Sequence, residues 1–250
     1  MQTYSFDATR GASPISTYPE EYEHVPPVEI VTSWATNYVD IQKAQKLRHD
    51  VFVREMGATP SRKESNSDGY ESDRFDPFCD HLLVKARYGW QQRPEQVIGT
   101  YRVLRPDQPS RAGGFYSDVE FDLAPINALR ANALELGRTC VHPAWRTGTV
   151  IMMMWRALGR YKLEHQLDTM IGCASIGLGD EGYAAAIIWD RLRHLHLAAE
   201  TWQVSPRDAL PIDCLLSKCE PQVPPELITT PPLDQRVLAL RRAFAGPTRP

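Results

Sequence analysis

Two charged side chains, Glu135 and Arg138, interrupt the otherwise apolar stretch ALELGRTCV at residues 133–141. A buried charge that lacks its partner costs about 3–5 kcal/mol, so two charges in a core strand indicate either a mutual ion pair or a chemical site. Strand residues three apart face opposite sides of a sheet, but Gly137 between them permits a bulge that turns both to one side. The spacing therefore predicts a bulge at Gly137 or Arg138.

A glutamate beside such a bulge has the chemistry of a general base. Its carboxylate could take a proton, through a water molecule, from an incoming ammonium group, with Arg138 organising that carboxylate or binding an anionic part of a substrate. The alternative is a buried Glu135–Arg138 ion pair without chemistry. If Glu135 is the base, a Glu135→Gln variant is expected to lose the proton acceptor while keeping the fold.

A second group of charged residues lies in the segment ESDRFDPFCDH, residues 71–81. Its carboxylates could pair with Arg48 and Arg102 and fix a loop over a pocket, and one left over could hold a cationic side chain. The alternative is an Asp-rich turn, which is common in loops. No second ligand pair has a diagnostic spacing, so we predict no metal site.

The elements that position these residues alternate between helical and strand periodicity. VEIVTSWA predicts a strand and VDIQKAQKLRHDVFVREMG a helix that ends at Gly57, followed by strands at CDHLLVKARY and QVIGTYRVLR. The strand ELGRTCV and its following helix come next, and then the strand LDTMIGCASI and the helix DEGYAAAIIWDRLRHLHLA. This order predicts one α/β domain with helices on both faces of a mixed sheet. We place a flexible leader at 1–27, the domain at 28–216 and a Pro-rich segment at 217–250.

Composition limits the class of protein. The formal net charge of −3 argues against a nucleic-acid binder that works through a broad basic surface. Five cysteines, an odd number, follow no apolar signal segment and predict reduced thiols in a cytoplasmic protein. No apolar run approaches the roughly 20 residues of a membrane span. Peripheral contact with the inner membrane surface is left open.

Six consecutive blocks carry a resemblance to a known family: LRHDVFVREMG, ESDRFDPFCDHLLV, VIGTYRVLR, GGFYSDVEFDLAPI, ELGRTCVHPAWR and MIGCASI. They resemble the ornithine lipid-forming N-acyltransferases of the GNAT superfamily and, more loosely, the acyl-homoserine-lactone synthases. The resemblance implies a mostly antiparallel sheet with a bulged central strand and a splayed gap beside it. It also implies an acyl chain delivered on acyl carrier protein and attacked by the amine of an amino acid derivative. After residue 205 the match weakens.

The resemblance also implies roles for individual residues. The bulge N–H would polarise the thioester carbonyl beside Glu135 and Arg138, the residues expected to carry the chemistry. Direct attack by the amine needs no cysteine nucleophile, so Cys173, on the strand beside the gap, is expected to be a small core residue. The residues expected to bind the acyl donor are Cys140, Val141, Arg146, Gly148, Thr149, Cys173 and Ser175. Those expected to bind the acceptor are Arg48, Phe52, Asp73, Asp76, Asp80 and Arg102.

The turn VHPAWRTGTV, residues 141–150, bears on the identity of the donor. Helix N-terminal N–H groups and Arg146 suit a phosphate. Acetyl-CoA-dependent members of the superfamily carry a longer glycine signature, whereas here Gly148 comes one position early and Ile151 occupies the last position. A phosphopantetheine arm presents one phosphodiester and needs a smaller cradle than the pyrophosphate of coenzyme A. The departure therefore favours acyl carrier protein.

Together these features predict an N-acyltransferase that needs no metal or separate cofactor. It would move a fatty acyl group, or its 3-hydroxylated form, from acyl carrier protein to the α-amine of ornithine or a related amino acid. Two alternatives remain. One is a homoserine-lactone-type signal synthase, and the other is a non-catalytic relative that binds carrier protein or lipid.

Overall fold

The computed structural model describes residues 28–58, 69–89, 94–217 and 237–244. Strand β1 (Val28–Trp34) leads into helix α1 (Tyr38–Arg48), whose first turn is capped by Asn37, which accepts a hydrogen bond from the Asp40 N–H at 3.0 Å. A π-helical turn at His49–Glu55 continues this helix. The predicted helix is therefore present, but its final segment, His49–Glu55, has π-helical rather than α-helical hydrogen bonding.

The remaining elements follow in the predicted order, with several short additions. They are β2 (Asp80–Tyr88), β3 (Gln96–Leu104), α2 (Pro109–Ala112), α3 (Ser117–Glu120), β4 (Phe121–Asp122), β5 (Ala133–Val141), α4 (Gly148–Glu164), β6 (Thr169–Gly177), α5 (Tyr183–His196), β7 (Ser205–Pro206), α6 (Ile212–Leu216) and β8 (Val237–Phe244). The predicted leader at 1–27 lies outside the described residues. Within 217–250, only Ser217 and β8 are described.

Six strands form one mixed sheet in the order β1-β2-β3-β5-β6-β8. The first three pairings are antiparallel and the last two are parallel. Helix α4 packs against one face, where Val150 and Met154 meet Ile98 in a buried cluster. Arg48 of α1 and Arg102 of β3 contact the same Asp76, whereas Tyr101, the residue before Arg102, contacts Trp155 of α4, so α1 lies on the other face. The predicted mixed α/β sheet with helices on both faces is confirmed.

The central strand β5 carries the predicted bulge. Thr100 of β3 pairs with Cys140 and Arg102 pairs with Gly137, so Tyr101 alone faces the two residues 138 and 139. Arg138 has a φ of 50°, a left-handed conformation that is uncommon for a residue other than glycine. The bulge prediction is therefore confirmed, with Arg138 as the residue that departs from strand geometry.

Strands β5 and β6 separate halfway along their length. Their parallel pairing runs from Ala133↔Thr169 to Leu136↔Gly172 and then stops, although β5 continues to Val141 and β6 to Gly177. At the last pair the backbones are so close that a Cβ on Gly172 would lie 2.6 Å from the Leu136 carbonyl oxygen. Beyond it, the gap implied by the resemblance is present.

Candidate active site

A buried network of three arginines and three carboxylates lies on the α1 face of the sheet. Arg48 and Arg102 are almost completely buried, at 0% and 4% exposure. The carboxylates come from the segment 71–76 that precedes β2, and the third arginine is Arg138 from the bulge. Three positive charges therefore face three negative charges in a low-dielectric interior, which is the condition for such a network to be tolerated.

Asp76 is the centre of this network. Its carboxylate accepts hydrogen bonds from Arg48 Nη1 at 3.0 Å, Arg102 Nη1 at 2.7 Å and Gln45 Nε2 at 3.0 Å. Burial alone would raise the pKa of Asp76, but the charges of Arg48 and Arg102 outweigh it and hold that pKa far below its usual value. Asp76 is thus an ionised structural partner that ties α1, the 71–76 segment and β3 together.

Arg138 uses its bulged position to reach the same segment. Its Nε lies 3.1 Å from Glu71 Oε1, and its Nη2 donates to Asp73 Oδ2 at 3.1 Å. Arg102 Nη1 contacts the other oxygen of Asp73 at 2.5 Å. Arg138 therefore pairs with Glu71 and Asp73 and forms no salt bridge with Glu135. The Glu135–Arg138 ion pair considered from the sequence is absent from the described structure.

Glu135 is held by a different set of partners. Its Oε2 accepts from the Tyr116 N–H at 2.8 Å, and its Oε1 accepts from the Ser117 N–H at 2.7 Å and the Ser117 hydroxyl at 2.6 Å. Burial raises the pKa of Glu135, and the hydrogen bonds from Ser117 and Tyr116 oppose that rise. A raised pKa brings a carboxylate closer to the range in which a general base works at neutral pH.

Tyr116 shows that Glu135 and Arg138 share one side of the sheet. The backbone N–H of Tyr116 donates a hydrogen bond to Glu135, and the Arg138 guanidinium lies 5.4 Å from the centre of the Tyr116 ring. In a regular strand these two side chains would point to opposite faces. The bulge therefore turns the Glu135 carboxylate and the Arg138 guanidinium to the same side of the sheet, as the spacing predicted.

Asp80 does not join the acidic network, contrary to the expectation from its position in the sequence. It lies at the start of β2, where alternation turns His81 toward Asp76 and turns Asp80 to the α4 face. There its carboxylate accepts a hydrogen bond from the Tyr161 hydroxyl and lies 3.7 Å from Arg105 Nε. Glu71, Asp73 and Asp76 are therefore the carboxylates that meet Arg48 and Arg102. Phe52 packs at the edge of the cluster formed by Leu47, Val51 and Cys140.

The residues predicted for the acyl donor lie in three places. Cys140 and Val141 are buried at the end of β5, and burial raises the pKa of the Cys140 thiol to about 12. Cys173 and Ser175 follow the last β5–β6 pair and so belong to the gap. The other three surround the start of α4, where Arg146 contacts Glu55 at 2.6 Å and donates to the Val141 carbonyl at 3.3 Å, next to Gly148 and Thr149.

Sequence reasoning missed Tyr116 and Ser117, which lie in the stretch GGFYSDVEFDL that has the composition of a loop. The structure turns this stretch through Gly113 and Gly114, at φ 79° and 110°, and then forms the short helix α3 at Ser117–Glu120. The two adjacent glycines were the sequence feature that could have indicated this turn, because glycine adopts positive φ values more readily than other residues.

The described residues were also searched for groups of metal-ligating side chains and for helices that could span a membrane. Among residues 28–58, 69–89 and 94–217, no three His, Cys, Asp or Glu side chains are grouped as metal ligands. Over the described part of the chain, every helix is too short or too polar to cross a bilayer.

Comparison with known proteins supports the fold and the family. Residues 47–156 match the family model of an acetyltransferase (GNAT) domain, which confirms the predicted GNAT fold. The chain is 39% identical over 163 residues to the L-ornithine N(alpha)-acyltransferase of Rhodobacter capsulatus, covering 64% of this chain and 61% of that protein. It is 35% identical over 207 residues to the protein of the same name from Agrobacterium fabrum, covering 79% and 70%. The first of these alignments thus spans about three fifths of the relative's length.

Among solved structures, a CoA-dependent acyl-homoserine lactone synthase is similar over 89% of this chain and 96% of that chain. The sequence identity is 17% and the TM-score is 0.42.

Proposed function

The chain belongs to the L-ornithine N(alpha)-acyltransferase family, and from this membership we propose that it acylates the α-amine of L-ornithine or a related amino acid. The acyl group is a fatty acyl chain or its 3-hydroxylated form, and the product is a lyso-aminolipid. The observation that carries the proposal is the bulge of β5 beside the gap between β5 and β6. It brings a buried carboxylate, a guanidinium and the N–H of a bulged residue to the place where β5 and β6 separate.

In this mechanism the thioester lies in the gap, and the N–H of Arg138 polarises its carbonyl. Glu135 receives the proton that the acceptor's ammonium group must lose before its nitrogen attacks. The three carboxylates of the network are already paired with arginines. Their role is therefore to hold the 71–76 segment against α1 and β5, with Arg48, Asp73, Asp76 and Arg102 as the frame of the acceptor side. Phe52 supports this frame from the π-helical turn.

Acyl carrier protein is the proposed donor, and no separate cofactor takes part. A single phosphodiester would meet the start of α4 at Gly148 and Thr149, where N–H groups of the first turn lack helical acceptors. Arg146 would leave Glu55, its exposed partner, to contact the phosphate. An exposed pair of this kind contributes about 0–1 kcal/mol, so the exchange costs little.

The decisive experiment incubates the purified chain with fatty acyl and 3-hydroxyacyl thioesters and a panel of amino acids, and identifies products by mass. We expect an acyl-ornithine product or its close analogue, with carrier-protein thioesters used at least tenfold better than the matching coenzyme A thioesters. Added salt should weaken the carrier reaction first, because charge attraction to an acidic partner is screened. Equal use of both donors at all salt concentrations would contradict the assignment of the donor.

The same assay distinguishes the alternative functions. An acyl lactone formed from an adenosylmethionine acceptor would indicate a homoserine-lactone-type synthase. Complete absence of product with every donor and acceptor would indicate a non-catalytic binder of carrier protein or lipid.

We also propose cytoplasmic location with peripheral contact at the membrane, where the amphiphilic product is released. The outward face of α4 exposes Met152 and Leu163, at 70% and 73%, beside the basic side chains of Arg156 and Arg160. Apolar side chains flanked by cations suit the surface of an anionic bilayer. Replacing both apolar residues by serine should lower co-sedimentation with anionic vesicles several-fold, whereas Val39→Ser on α1 should not. Equal sedimentation of all three proteins would remove this surface from consideration.

A further inference from the structure

Glu135 is connected to the gap between the strands by a chain of two hydrogen bonds. The Ser117 hydroxyl donates to Glu135 Oε1 at 2.6 Å, and the Cys173 thiol donates to the Ser117 oxygen at 3.4 Å. Glu135 is 4% exposed and Ser117 is completely buried. Neither can therefore touch a substrate in this conformation, while Cys173 is only partly buried.

The position of Cys173 shows at which end these hydrogen bonds reach the gap. Pairing between β5 and β6 ends at Gly172, so Cys173 is the first residue of β6 at the opening of the gap. The two hydrogen bonds thus lead from the place where the thioester would enter to the buried carboxylate of Glu135. Two further N–H groups, from Tyr116 and Ser117, hold that carboxylate in place at the inner end.

We propose that Ser117 and Cys173 form a proton relay that connects the acceptor's ammonium group to Glu135. This inference rests on the proposed acyltransferase function and explains how a carboxylate that substrate cannot reach acts as the base. Ser117 is the central relay residue, and Cys173 is its contact with the cleft. The sulfur forms no bond to the acyl group at any stage.

The protons balance along this path. One ammonium N–H bond breaks as its proton moves to the Cys173 sulfur, the thiol proton moves to the Ser117 oxygen, and the Ser117 proton moves to Glu135. The freed nitrogen lone pair attacks the thioester carbon, the carbon–sulfur bond breaks, and the departing thiolate takes the second proton from nitrogen. Glu135 returns its proton to solvent along the same path after the product leaves.

The test compares Ser117→Ala, Glu135→Gln and the double variant by pH–rate profile and by thermal unfolding. We expect Ser117→Ala to lower kcat at neutral pH by about 10²-fold, with a loss that shrinks as pH approaches the pKa of the amine. The double variant should be no slower than Glu135→Gln alone, because members of one unit are not additive. The exposed Ser110→Ala is the matched control and should keep wild-type kcat.

Substitution of Cys173 tests the end of the relay that lies at the gap. Because Cys173 is only partly buried, the substitution leaves no cavity in the core. Cys173→Ser keeps a hydrogen-bond donor and should lose less kcat than Cys173→Val, which has no donor and should lose about tenfold or more. Three results would overturn the relay: full kcat in Ser117→Ala, an equal loss at every pH, or losses that multiply in the double variant. An inactive wild-type chain in the same assay would instead overturn the proposed function, and the relay with it.

Discussion

Glu135→Gln is expected to lower turnover at neutral pH by about 10²- to 10⁴-fold, the usual effect of removing a general base. At that pH the acceptor's amine is almost entirely in its protonated, ammonium form. A glutamine side chain cannot take the proton that this group must lose. As pH rises toward the pKa of the amine, the acceptor arrives already deprotonated. The difference between variant and wild type should therefore shrink with increasing pH.

The structure changes the expectation for the stability of this variant. The sequence predicts that glutamine keeps the fold, but both oxygens of Glu135 accept hydrogen bonds from backbone N–H groups. A glutamine must turn its NH₂ group toward one of these donors and leave that N–H without an acceptor. A buried polar group in this state costs about 1–3 kcal/mol. The variant should thus be folded at 25 °C but less stable than wild type.

The measurement is a pH–rate profile combined with thermal unfolding of the same preparation. Rates taken well below the unfolding transition separate the loss of the base from the loss of stability. A folded variant with near-normal turnover at neutral pH would reject Glu135 as the base. A loss of rate that is constant with pH would assign Glu135 to positioning Tyr116 and Ser117 alone.

The bulge could be predicted from the sequence because a conflict between spacing and strand period has few solutions. Glu135 and Arg138 are three residues apart, and a glycine between them gives the chain freedom to correct the mismatch. The side-chain partners did not follow from this reasoning. Arg138 selects Glu71 and Asp73, more than 60 residues away, because the bulge brings it to the segment before β2.

The acidic segment shows the limit of predicting neighbours from composition. Four carboxylates within ten residues suggest one cluster, yet the strand period divides them at the start of β2. Asp76 precedes the strand and faces Arg48, while Asp80 begins it and points to Tyr161 on α4. The partners of Glu135 were missed for another reason. Two of their three hydrogen bonds to Glu135 come from the backbone N–H groups of Tyr116 and Ser117, which a side-chain pattern does not reveal, and the third comes from the Ser117 hydroxyl.

Arg102→Met is expected to lower the free energy of unfolding by about 3–5 kcal/mol, since it removes one member of a buried charge network. Arg102 contacts Asp73 at 2.5 Å and Asp76 at 2.7 Å. Without it, three buried carboxylates face only two guanidinium groups. Methionine fills much of the same volume, so the missing charge dominates the loss. Because domains of this size are stable by about 5–15 kcal/mol, the effect should be visible in denaturant titration.

Two companion variants separate charge balance from the loss of a long side chain. Arg160→Met removes an exposed arginine that contacts Glu164 at 2.8 Å, and the loss should stay below about 1 kcal/mol. Adding Asp73→Asn to Arg102→Met leaves two carboxylates facing two guanidinium groups, and we expect the double variant to recover part of the lost stability. Recovery would identify the uncompensated carboxylate as the cause. If Arg102→Met unfolds at the same denaturant concentration as Arg160→Met, the network positions the acceptor side without stabilising the fold.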